Sequence, residues 1–213
     1  MQKVITKPAW IIVILCYVPL CVKSVILWDG GNGAATLGKV LPSYFIIPLL
    51  TTLFVWLTGR FQSKIVIDED GIPALRRVVL LTLALFLAVT VFNVSIEYIP
   101  GRILPRLIIC GIGLFMALLG ALMPKLQRNR LAGARFSWTL VNREVWQKSN
   151  RIGGVYTILL GLFMIVSGVL TPARKSLFTS AEIWAIVIYI IVLTMHSRLI
   201  ALKIDPPKKR DEF

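Results

Sequence analysis

The chain has 213 residues, 57% of them hydrophobic and 16% charged, and carries a net charge of +14. Soluble domains hold about a quarter charged residues, so this composition excludes an ordinary soluble fold. The basic excess does not mark direct nucleic-acid binding either. There is no contiguous basic domain; the charges fall in short loops between apolar runs, where orientation rules and anionic headgroups account for them.

Each apolar run is long enough to cross a hydrocarbon core about 30 Å thick at about 1.5 Å per residue. The predicted fold is all-α: a single integral membrane domain over 1–213, a polytopic helix bundle with short loops. Its six transmembrane helices lie near residues 9–28, 41–58, 78–99, 104–123, 153–170 and 183–201. Trp10 and Trp28 bracket the first span as interfacial anchors, and no small-residue cleavage site follows it, so it is expected to be retained. Cys16, Cys21 and Cys110 sit inside apolar runs as small core residues, without the spacing of a thiolate metal site or a disulfide framework.

Within the spans a few polar residues stand out. Lys23 lies about a turn and a half from the outer end of the first span, where a long side chain snorkels readily. Asn93 and Glu97 share one face of the third span. Glu97 either pairs with Arg102 at the interface or meets Lys23 in a small polar cavity open to the outer face. The segment from Ile65 to Pro73 carries Asp68, Glu69 and Asp70 without calcium-loop spacing and is expected to be a solvated turn. Pro100-Gly101 and Pro124 close the third and fourth spans. His196, the single histidine, lies near the inner end of the last span; it cannot form a histidine zinc cluster and suits a helix-packing hydrogen bond. No metal site, cofactor site, nucleophile–base pair or paired carboxylate is legible, so an enzyme is not expected.

Orientation follows from the bases. The side opposite the N-terminus receives only Lys39, Arg102, Arg106, Arg174 and Lys175, and Lys23 lies within a span; every other lysine and arginine falls on the N-terminal side. Both termini and the loop 124–152 are therefore expected in the cytoplasm.

That loop is richer than solubility requires. Gly133 permits a backbone turn, Arg135 precedes Trp138-Thr139-Leu140, and Asn142 is placed to cap a short helix over 143–149 with Val145, Trp146 and Ser149 on one side. Gly153-Gly154 then lets the chain bend into the fifth span. One reading is an interfacial amphipathic helix, its tryptophans at the headgroups and its arginines on lipid phosphate. The other is a folded cytoplasmic platform, with Arg135 fixed by Asn129 and the tryptophans for ligand or partner binding.

Asn129, Gly133, Arg135, Trp138, Thr139, Leu140, Trp146, Arg151 and Gly153 together resemble the signature loop of the SdpI family, membrane proteins named for a bacterial immunity protein against a secreted killing factor. Ser137 stands where proline is usual, and Ser149-Asn150 where Thr-His is usual, which removes the histidine that a proton-linked role would use. Trp28-Asp29, Gly33 and Gly38-Lys39 are similar to the family's outer loop, with Leu27 in place of its histidine. The resemblance implies a non-enzymatic, multi-pass protein of the bacterial cytoplasmic membrane that confers resistance to a secreted toxic peptide. It also implies signalling, by holding a cytoplasmic transcriptional repressor at the membrane. Toxin would meet the outer face near Trp28, Lys23 and Glu97, and the platform around Arg135, Trp138 and Trp146 would respond. The candidate ligand or partner residues are those of the loop, Asn150 included. A small transporter or exporter of a hydrophobic peptide or ion is the alternative, but the spans supply few polar groups for a path. Oligomeric state stays open: no Gly-x-x-x-Gly motif is present, and Gly161 and Gly168, seven apart, suit close helix packing.

Overall fold

The computed structural model describes residues 3–29, 33–95, 98–101, 103–170 and 179–204, and of 26–29 and 33–44 the backbone alone. The element order is α1 (Lys7–Asp29), α2 (Gly33–Arg60), α3 (Gln62–Ile65), a 3-10 turn (Glu69–Gly71), α4 (Ile72–Ser95), α5 (Leu104–Leu122), a second 3-10 turn (Met123–Lys125), α6 (Ser137–Val141), α7 (Arg143–Leu170) and α8 (Ser180–Ile204). Among the described residues there is no strand, only an isolated antiparallel bridge between Val66 and Asn129.

Among the described residues five segments are long and apolar enough to cross a membrane: Lys7–Val25, Glu69–Ser95, Leu104–Lys125, Arg143–Leu170 and Ser180–Ile204. Where a sixth span is predicted over 41–58, the described residues hold a shorter apolar helix, Phe45–Arg60, within α2. Ile14, Leu49, Leu114, Leu159 and Ile188 are exposed, the outward apolar surface expected where lipid is the solvent. The chain is a multi-pass membrane protein.

Contacts divide the chain into two compact units. The first, Met1–Gln62 with Arg76–Leu104, holds α1, α2 and all of α4 after its first turn. Val13, Cys16 and Leu20 from α1, Val55 from α2 and Val79 and Leu83 from α4 are buried in it. Pro19 lies inside α1, and the Tyr17 and Thr52 hydroxyls bond at 2.8 Å between α1 and α2. The N-terminal segment is tied down by the Val4 N–H, which donates to Gln62 Oε1 at 2.9 Å, and by Arg76, which donates to the Lys3 carbonyl.

The second unit, Ser63–Leu75 with Pro105–Phe213, holds α5 to α8. Its α5 and α7 are packed backbone to backbone along glycines spaced by seven residues. A Cβ at Gly120 would lie 2.7 Å from the Gly154 carbonyl oxygen, and one at Gly113 would lie 2.6 Å from that of Gly161. One side chain there would hold the helices apart. Polar pairs join α7 to α8: Thr157 with Tyr189 at 2.9 Å, Tyr156 with His196 Nδ1 at 2.8 Å, and Ser167 donating to Glu182 at 2.6 Å.

Asn142 does cap α7, accepting the Glu144 N–H at 2.8 Å and that of Val145 at 3.3 Å. The expected bend at Gly153-Gly154 is absent, however, and α7 runs unbroken for 28 residues. The physical reason is periodic burial. Val145, Trp146, Ser149, Asn150, Gly153, Gly154 and Thr157 are all buried, so one helical stripe continues from the loop into the span. The glycines serve helix approach, not bending.

The seam yields a prediction. Gly120→Val should lower the thermal stability of the purified protein by about 1–3 kcal/mol or more, through overpacking. Gly111→Ala, at a position with nothing within 4 Å of a new Cβ, should leave it nearly unchanged.

Candidate functional site

After α5 the chain turns at Pro124, with the Leu126 N–H donating to the Met123 carbonyl at 3.1 Å. The Leu126 carbonyl in turn accepts Trp146 Nε1–H at 2.7 Å, and both residues are buried. Asn129 then closes its own turn: its Oδ1 accepts the Leu131 and Ala132 N–H groups at 2.8 Å each, and its Nδ2 donates to the Gln127 carbonyl at 2.9 Å. Short amides do this because they reach backbone groups two or three residues away.

Gly133 follows with φ +105°. Two constraints require glycine there: the left-handed backbone, and the Asn150 amide oxygen lying where a Cβ would stand. Asn150, fully buried on α7, accepts the Ala134 N–H at 2.9 Å and donates to the Trp146 carbonyl at 3.0 Å. Thr139 completes the core by accepting the Phe136 N–H at 3.0 Å and donating to the Ala134 carbonyl at 2.6 Å. Buried polar groups must be paired, and here each side chain is consumed by loop backbone. Ser149 Oγ is the exception, buried with no partner among the described residues.

A clasp attaches this loop to the segment between α2 and α4. Arg128 Nε and Nη2 donate to the two Asp68 carboxylate oxygens at 3.1 and 3.0 Å, and Nη1 donates to the Val141 carbonyl at 3.0 Å. Backbone bonds run beside it: the Arg130 N–H donates to the Ile65 carbonyl at 2.8 Å, and the Ile67 and Asp68 N–H groups donate to the Arg128 carbonyl at 3.2 Å. The Arg128 hydrogen bonds hold the Asp68 carboxyl below the usual carboxylate range, and the same partner raises Arg128. The segment is therefore not the wholly solvated turn expected: Glu69 and Asp70 are exposed, but Asp68 is engaged. Nothing local in the sequence signals this, since its partner lies 60 positions away.

The structure thus gathers Asn129, Gly133, Thr139, Trp146 and Asn150 into one interlocked core. Gly153 extends it, packing beside Leu193 and Met123. Leu140 is half-buried on α6, and Arg151 is exposed on α7. Arg135 is exposed and is not fixed by Asn129, whose amide is occupied by backbone; it donates instead to the Arg130 carbonyl. Trp138 reaches α8, where its Nε1–H donates to Ser197 Oγ at 3.2 Å.

The intramembrane candidates lie elsewhere. His196 bonds Tyr156, the packing role expected of it. Lys23 is buried, with Nζ 5.3 Å over the Tyr98 ring, and Asn93 is half-buried on α4. Glu97, Arg102, Arg174, Lys175, the tail from 205, and the side chains of Leu27, Trp28, Asp29 and Lys39 lie outside the described residues. A buried carboxylate that the sequence reading missed is Glu182, which accepts the Thr179 N–H at 2.8 Å in addition to the Ser167 hydroxyl.

Residues 125–199 match the model of the SdpI/YfhL protein family. Over that segment the chain is similar to the SdpI/YfhL family. The segment begins in the turn after α5 and ends just past Arg198 in α8, so it takes in the interlocked loop, α7 and most of α8. The chain is also 27% identical over 176 residues to "Immunity protein SdpI" of Bacillus subtilis (strain 168), across 80% of this chain and 77% of that protein. No solved structure matches. The SdpI-like loop is thus the part of the chain in which the family pattern and the densest buried hydrogen bonding coincide.

Two outcomes follow for the SdpI-like loop. Asn150→Ala leaves the Ala134 N–H unpaired and removes the second donor to the Trp146 carbonyl, and should cost about 1–3 kcal/mol, read by thermal unfolding in detergent. Asp68→Asn should be less stable than wild type at neutral pH. Because the folded carboxyl titrates below its unfolded value of about 4, the clasp's contribution is present above that pH and lost as pH falls beneath it. The gap between wild type and variant should therefore close on acidification.

Proposed function

We propose that the protein is an immunity factor, protecting a bacterial cytoplasmic membrane from a secreted membrane-active peptide without catalysing a reaction. The observation that carries this reading is the match of residues 125–199 to the SdpI/YfhL family, supported by identity to an immunity protein across most of both chains. The proposed topology has six spans and both termini in the cytoplasm, which agrees with the excess of bases on the loop side. Peptide would be met within the bilayer or at the outer end of α1, near Lys23 and Glu97.

The loop's buried residues support it as a rigid platform, so a cytoplasmic partner would be met by the exposed rim that includes Arg130, Arg135 and Arg151. A transcriptional repressor held at the membrane is the proposed partner. The Asp68–Arg128 clasp favours a route for signalling, because Ser63–Leu75 joins α2 to α4 and is bonded to the loop. A shift of either helix would pull on the platform.

The test is survival. Expressed in a sensitive bacterium challenged with a panel of secreted membrane-active peptides, the wild-type chain should raise survival against at least one. Asn150→Ala should lose that protection at equal membrane abundance, whereas Arg135→Ala should keep protection while releasing a membrane-bound repressor. Absence of protection against every peptide would overturn the immunity reading.

A further inference from the structure

Among the described residues three acids near the loop are ion-paired: Asp68 with Arg128, Asp70 with Arg143 at 3.7 Å, and Glu144 with Lys148 at 2.7 Å, while Glu69 is exposed. Arg130, Arg135 and Arg198 have no carboxylate partner among the described residues. No acid occurs from Lys125 to Asn142, nor from Ile183 to Ile204. Among the described residues, Arg130, Arg135 and Arg198 are therefore bases of the second unit without a paired acid.

Aromatic contacts accompany them. The Arg198 guanidinium lies 5.2 Å from the centroid of the Trp138 ring. Trp138 stacks on Phe136 with centroids 4.9 Å apart and planes 5° from parallel, and Arg135 directly precedes Phe136. A cation–π contact positions a guanidinium without consuming its five N–H donors. Arg198 is exposed and makes no hydrogen bond among the described residues, which leaves those donors available to an anion. Its neighbours on α8, Met195, Leu199 and Leu202, are exposed and apolar. Arg198 thus borders exposed apolar surface, and tryptophan with arginine beside such a surface is the combination found at membrane interfaces.

We propose that Arg198, seated on Trp138 and assisted by Arg135, binds the headgroup phosphate of an anionic phospholipid in the leaflet facing the loop. The Phe136–Trp138 stack lies against the lipid's glycerol and upper acyl region. The occupant is a lipid and not a soluble anion, because the site combines a cation with an aromatic and aliphatic flank. The site does not depend on the immunity reading, and its test contains no toxin.

The full chain would be reconstituted with phosphatidylcholine and phosphatidylglycerol in equal amounts, and the lipid retained after mild delipidation measured by native mass spectrometry. Wild type should retain phosphatidylglycerol preferentially. Arg198→Gln and, separately, Arg135→Gln should reduce that preference about fivefold, the factor one base contributes near an anionic surface. Arg143→Gln, which removes the same charge from a paired base, should leave it unchanged. Equal retention by wild type and both site variants would overturn the proposal, as would an equal loss in Arg143→Gln. Displacement of the lipid by inorganic phosphate alone would overturn the assignment to lipid. Thermal midpoints in phosphatidylcholine keep misfolding distinct, since a folded Arg135→Gln with undiminished preference counts against the site.

Discussion

The Asn150 carboxamide holds the Ala134 N–H with its oxygen and the Trp146 carbonyl with its nitrogen, in a place closed to solvent. Everything around it is arranged to permit that pair of bonds. Gly133 lacks a Cβ because the amide oxygen needs the space, and its left-handed backbone turns Ala134 toward it. Trp146, one helical turn earlier, anchors the Leu126 carbonyl and so returns the start of the loop to α7. A loop at a membrane surface cannot rely on a large apolar core. Buried polar groups paired with backbone, Ser149 Oγ excepted, stand in for that core.

The same logic continues into the bundle. Lipid tails are as apolar as leucine, so helices in a bilayer gain little by hiding leucine from them. In the second unit α5 and α7 associate through glycine backbones at van der Waals range, and α7 and α8 through Thr157–Tyr189, Tyr156–His196 and Ser167–Glu182. Bonds of this kind contribute about 0.6 kcal/mol each on average, with close packing adding dispersion. Because α7 is one unbroken helix from Arg143 to Leu170, the loop core and the intramembrane seam are parts of one rigid element. This supports a platform that moves with the bundle, not a tether that drifts beside it.

Charge is sorted as carefully as polarity. The Asp68 clasp uses both carboxylate oxygens on one guanidinium, and the rest of Arg128 stabilises the end of α6. Such bidentate pairs define geometry as well as contributing energy. With Asp68, Asp70 and Glu144 paired to other bases, Arg135 and Arg198 beside Trp138 have no carboxylate partner among the described residues. The two readings of the loop posed by its composition, lipid anchor and folded platform, are thus compatible. The buried half is a hydrogen-bonded core, and the exposed half carries arginines beside aromatic rings.

The sequence by itself determined what local periodicity and chain chemistry decide. Apolar runs of spanning length determined the helices, the distribution of bases suggested sidedness, and Gly133, Asn142 and His196 were legible because a turn, a cap and a lone imidazole each have few uses. Tertiary structure alone decided the rest. Gly153-Gly154 looked like a break because glycine loosens an isolated helix, yet buried neighbours at helical spacing kept α7 continuous. Asn129 took backbone partners instead of Arg135, since a buried amide satisfies the nearest unpaired groups first. Asp68 with Arg128, and Trp138 with Ser197 and Arg198, join residues about 60 positions apart. No local pattern encodes such pairs, because they exist only when the fold brings distant segments within hydrogen-bond reach.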